Sequence, residues 1–61
     1  MIKTYKKLVK VNNLESDHER YVVARIYEDE LWFWGSWDDR NAAERVANQF
    51  DNAVVVDMEK D

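Results

Sequence analysis

Sixty-one residues make one small domain, 1–61, and a chain this short buries only about 60% of the surface its unfolded form exposes. With no Cys and one His, disulfides and thiolate zinc sets are excluded, so dense aromatic packing and self-association are the remaining supports. The formal charge of −4 is unevenly spread: residues 1–14 carry Lys3, Lys6, Lys7 and Lys10 and no acid, while residues 15–61 carry thirteen acids against Arg20, Arg25, Arg40, Arg45 and Lys60.

An acidic body of this kind repels a phosphate backbone, whose affinity depends on Lys and Arg contacts. No stretch approaches the roughly 20 apolar residues that span a bilayer. Met1 to Tyr5 has no apolar run of signal-peptide type. The expected location is therefore cytoplasmic. No proline, repeat or low-complexity segment divides the chain.

The first strand is expected over residues 2–11. Its alternation is imperfect: Tyr5, Val9 and Val11 share one parity, Ile2 and Leu8 the other, and a bulge near Lys6 and Lys7 would reconcile them. Asn12 to Glu19 is polar and rich in turn formers. His18 lies there between two acids. Neighbouring side chains cannot form a catalytic triad, so Ser16, Asp17 and His18 are read as solvated.

Strands follow over residues 20–28 and 31–36, joined by a hairpin with Asp29 and Glu30 at its tip. An even loop that sets residue 26 opposite 33 and 24 opposite 35 sorts the side chains by parity. Val22, Ala24, Ile26, Phe33 and Gly35 share one face, with Trp37 beyond. Tyr21, Val23, Arg25, Tyr27, Trp32 and Trp34 share the other, with Arg25–Trp34 and Tyr27–Trp32 as cross-strand pairs.

Ala43, Val46, Ala47 and Phe50 form one apolar stripe at helical period. Asp38 or Asp39 suits the N-cap, because a carboxylate there accepts from free amides and complements the positive helix end. Ser36 with Asp39 is a weaker capping box, and Asn52 is a plausible stop. The last strand, residues 53–59, opens with Ala-Val-Val-Val, β-branched and suited to a pleated, covered position. Pairing with the lysine-rich first strand is favoured over the third, since Asp57 and Glu59 complement those lysines. The fold class is α+β, in the order β-β-β-α-β: a mostly antiparallel four-stranded sheet with one helix packed on one face.

That helix is expected on the Val22, Ala24, Ile26 and Phe33 face, with Val54, Val56 and Met58. The opposite face then keeps Tyr21, Tyr27, Trp32 and Trp34 around Arg25. Each such ring removes roughly 150 to 250 Å² from water when buried, and Trp, Tyr and Arg dominate interface hot spots. The expected site is thus a partner-binding surface of Tyr21, Arg25, Tyr27, Trp32 and Trp34, with Asp38, Asp39 and Glu44 as acidic contacts.

No phosphate loop, dinucleotide fingerprint or zinc pattern is present. No cofactor, metal or enzymatic activity is expected. The function read here is a non-enzymatic protein-binding module, expected as a homodimer. In its sharper form it is a small acidic inhibitor, of a kind that suits bacteria and their viruses. Its carboxylates, including Asp38, Asp39, Glu44 and Asp51, would imitate nucleic acid in the basic site of a nucleic-acid enzyme. The alternative is a nucleic-acid binder that uses the basic first strand, Tyr5 and exposed aromatics.

Overall fold

The computed structural model describes residues 9–58 in full and the backbone of residues 4–6. The fold is α+β, with three antiparallel strands and one helix at its centre. In chain order the elements are β1 (Thr4–Lys6), β2 (Tyr21–Tyr27), β3 (Glu30–Trp37), α1 (Arg40–Ala47) and β4 (Ala53–Asp57). The strands lie in the order β1-β4-β2-β3. β2 runs antiparallel to both β3 and β4, and the short β1 runs parallel to β4.

β4 therefore neighbours β1 and β2, and β2 separates it from β3. Lys6 and Asp57 are register partners, as the charge pattern of the two strands favours. The first strand is matched only over Thr4–Lys6. Residues 9–11 have left the sheet, and the remaining residues of the expected strand fall outside those described; of the bulge expected near Lys6 and Lys7, Lys6 lies in β1 and Lys7 is outside the described residues.

The helix forms where its stripe predicts. Asp39 is the N-cap, with extended backbone and a carboxylate that accepts from the Asn41 amide at 3.2 Å. Ser36 takes no part in capping: its hydroxyl oxygen accepts from the Glu19 amide at 2.9 Å. The helix stops at Asn48 rather than Asn52. The Gln49 and Phe50 amides tighten the turn there by donating to Val46 and Ala47 carbonyls three residues back.

The faces are the reverse of those expected. Ala43 and Ala47 pack on Val23, Ala53 and Val55, with Tyr21, Val46, Trp37 and Phe50 around them. Val22, Ala24, Val54 and Val56 lie on the opposite face of the sheet. There they meet Val11, with Leu14, Ile26, Leu31, Phe33 and Met58 alongside. That face is not open, because the chain between β1 and β2 lies across it as a strap.

The strap ends on the far edge of the sheet. Asn12 makes an isolated parallel bridge to Trp32: its amide donates to the Leu31 carbonyl at 2.8 Å, and its carbonyl accepts from the Phe33 amide at 2.9 Å. Coverage on both sides explains why Val22, Val23, Val55 and Val56 are all fully buried although they alternate in direction. A sheet covered on both faces reads as an uninterrupted apolar run, and an alternating pattern belongs to a sheet with one wet face.

Candidate interaction surface

The hairpin has a two-residue loop, Glu28–Asp29, with Tyr27 opposite Glu30. Both loop residues have positive φ, 53° and 64°, as a type I′ turn requires. The expected tip, Asp29 and Glu30, is thus one residue too late. Ile26 meets Leu31, Arg25 meets Trp32 and Ala24 meets Phe33.

The ladder then slips. Val23 pairs with Gly35, so Trp34 is an extra residue on β3, a bulge facing the Val23–Ala24 step. Beyond it Tyr21 meets Trp37. Strict alternation would put Trp34 and Trp37 on opposite faces. The bulge brings them together on the helix side of the sheet, with ring centroids 6.2 Å apart and planes 12° from parallel.

α1 has eight residues, about 12 Å of helix at 1.5 Å per residue, too short to roof β3. Just beyond it, Phe50 turns back and meets Trp34, with centroids 5.3 Å apart and a 59° tilt. The Arg25 guanidinium lies over the other part of that cluster, 4.1 Å from the Phe50 centroid. Arg25 Nε and Nη2 both donate to Asn52 Oδ1, at 3.2 and 3.0 Å. Asn52 is fixed in turn: its Nδ2 donates to the Ile26 carbonyl at 2.7 Å, and its carbonyl accepts from the Ile26 amide at 2.7 Å. Trp34, Trp37, Phe50, Arg25 and Asn52 thus form one continuous shelf past the C-terminal end of α1.

This arrangement corrects the expected site in three ways. The aromatic surface is on the helix side of the sheet, where α1 leaves β3 uncovered, and not on the far side, which the strap occupies. Arg25 stacks on Phe50 rather than on an indole, and its cross-strand partner is Trp32 rather than Trp34. Tyr27 faces Glu30, not Trp32, although the Trp32 indole N–H does reach the Tyr27 carbonyl at 3.4 Å.

The expected residues divide accordingly. Trp34, 49% exposed, and Arg25 belong to the shelf, and Trp32 is the register partner of Arg25. Tyr27 is 63% exposed at the hairpin end. Tyr21 is half-buried at the opposite end of β2, with the Arg20 guanidinium 4.8 Å from its ring. Asp38 is exposed and directly follows Trp37. Asp39 caps the helix, and Glu44 accepts from Arg40 Nε at 2.8 Å, so those two carboxylates hold structure. Trp37, Phe50 and Asn52 complete the shelf and were missed as site residues. The alanine spacing did place Phe50 on the packed stripe, but nothing in the local sequence marks the bulge that recruits Trp37.

His18 is engaged locally: its Nδ1 lies 2.7 Å from the Glu19 carbonyl oxygen, which accepts from it. Among the described residues no group of three metal-ligating side chains is gathered, and no helix is long and apolar enough to cross a membrane. Comparison with known proteins finds no family model, curated protein or solved structure that matches this chain. The fold and the shelf define a small α+β protein with an aromatic surface set in an acidic body.

Proposed function

We propose that this is a non-enzymatic protein-binding module of the cytoplasm whose contact surface is the shelf around Trp34. The observation that carries the reading is the state of Trp34: half exposed, yet held between Trp37 and Phe50. An indole immobilised before binding loses little further side-chain freedom when a partner covers it. Burying its remaining surface is a favourable step that the isolated chain does not take. Residues of this type are those that dominate interface energies.

The charge of the chain selects among partners. Two copies bring a formal −4 each, so self-association works against like-charge repulsion, and a homodimer through this shelf is the weaker version. A partner with a basic site gains from the same field. A nucleic-acid enzyme is such a partner, and an acidic domain seated in its groove would act as an inhibitor.

The test is affinity capture from the native cytosol with wild type and Trp34→Ser, followed by mass spectrometry. A basic protein retained by wild type, lost with the variant and displaced by excess nucleic acid is the expected result. Identical captures by the two proteins would refute the reading. Sedimentation of the purified chain reveals a homodimer, and nucleic-acid titration at two salt concentrations reveals the alternative, direct binding with a steep salt slope. The side chains of Lys3, Lys6 and Lys7, on which that alternative relies, lie outside the described residues.

A further inference from the structure

We infer that the shelf takes a carboxylate side chain, Asp or Glu, of the partner protein on the open fork of Arg25, with the neighbouring partner residues lying on Trp34. This rests on the protein-binding reading above and names the chemistry of its central contact.

Among the described residues Arg25 is the one half-buried arginine, and Arg20, Arg40 and Arg45 are exposed. Arg20 and Arg40 each have a carboxylate, Asp57 at 2.9 Å and Glu44 at 2.8 Å. Arg25 pairs with no carboxylate among the described residues, although the chain carries thirteen acids. Its hydrogen bonds go to a neutral amide instead: Nε and Nη2 both donate to Asn52 Oδ1. Nη1 and the second Nη2 hydrogen form the other fork of the guanidinium, and no described residue accepts from it. The Phe50 ring, 4.1 Å from Cζ, and the Asn52 amide hold the group in place before anything binds.

Phe50 touches both the Arg25 guanidinium and the Trp34 indole. A partner that covers Trp34 therefore comes against Arg25 as well and takes water from its open fork. Enclosing a cation without a counter-charge is strongly unfavourable, and among the described residues the chain supplies none there. The partner must bring it. A carboxylate fits, because its oxygens match the parallel donors of a guanidinium fork. It also brings a single negative charge, whereas a phosphate brings more towards a chain of formal charge −4. The partner's wider basic surface speeds encounter, and this one acid fixes orientation.

The experiment selects binders to the full chain from a display library of random short peptides. Asp or Glu beside an apolar residue is expected among the binders above its frequency in the library. The commonest binder is then made as a soluble peptide, and its binding is followed by the Trp34 indole and Arg25 guanidinium signals in proton–nitrogen correlation spectra. Replacing the peptide's acid by the matching amide is expected to weaken binding to wild type by about tenfold. With Arg25→Gln the acid and amide peptides should bind alike. Arg25→Lys, which keeps the charge and loses the fork, should fall between. Circular dichroism confirms that each variant is folded, and Arg25→Lys carries the comparison if Arg25→Gln is not.

Binders without an acid, an equal loss on amidation in wild type and the Arg25 variants, or an absence of binders would overturn the carboxylate contact. So would inorganic phosphate that moves the Arg25 signals at lower concentration than the peptide does, which would assign the fork to a phosphate. Cytosolic capture separates the two readings. If it depends on Trp34 and not on Arg25, the protein-binding reading stands and only the carboxylate falls; if it depends on neither, both fall.

Discussion

The indole of Trp37 lies over Gly35: a Cβ added at Gly35 would come within 2.9 Å of Cη2 and 3.0 Å of Cζ3. The glycine is there for room, since a side chain on the helix side of β3 would lift the ring that supports Trp34. Trp37 is held by its stack on Trp34 and by the core around Val23, so it cannot simply swing away. Gly35→Ala is expected to cost about 1–3 kcal/mol, the usual range for overpacking. Urea denaturation would give the loss, and near-UV circular dichroism would report a changed tryptophan environment. An unaltered midpoint and spectrum would show that the ring yields freely.

The hairpin loop is a second place where geometry and residue type disagree. Glu28 and Asp29 both occupy the left-handed region, which costs an L-residue of ordinary type roughly 1–2 kcal/mol. Asn-Gly is the pair that a type I′ loop prefers. Glu28→Asn with Asp29→Gly should therefore stabilise the domain by about 1 kcal/mol, part of the relief being offset by the entropy that glycine loses on folding. The expected sign is a higher urea midpoint at unchanged slope.

Both faces of the sheet carry core, and charge placed on either should destroy it. Ala43 has no exposure under the helix, and Val11 has 9% under the strap. An aspartate at either position meets apolar side chains with no partner, a penalty of several kcal/mol in a chain with little stability to lose. Ala43→Asp and Val11→Asp should each abolish the cooperative thermal transition. A normal melt for Val11→Asp would mean that the strap does not cover its face in solution.

Asn52 ties the end of β2 to the chain that enters β4. Its side chain donates to Ile26 and accepts from Arg25, and Asn52→Ala leaves the Ile26 carbonyl and the guanidinium without those partners. The expected cost is about 1–3 kcal/mol, measured by urea denaturation. Arg25 should also become mobile, seen as sharper guanidinium signals in the variant. Unchanged stability and unchanged Arg25 signals would show that water replaces the amide without loss.

Local pattern carried much of the fold. The spacing of Ala43, Val46, Ala47 and Phe50 located the helix and its packed side, and the carboxylate of Asp39 marked its start. The extent of β2 and β4 was close because β-branched and aromatic runs are short-range signals. The faces were misjudged for a readable reason. Val22-Val23-Ala24 and Val54-Val55-Val56 do not alternate, and such runs imply cover on both sides, which a single helix cannot provide. Read that way, they call for a second covering segment, and Val11 with Leu14 was available to provide it.

The sequence by itself determined the approximate extent of β2 and β4 and the start of the helix, how the charge is divided, and that the rings exceed what so small a core can hide. Those properties depend on neighbouring residues and on totals, so they survive without coordinates. Only the tertiary structure decided which side of the sheet α1 occupies, because a pleated ribbon that is apolar on both sides can be turned over with its local pattern intact. It also decided that Trp34 joins Trp37 and Phe50. That meeting depends on one extra residue in β3 and on a helix too short to reach across it, and both are settled by packing between segments distant in the chain.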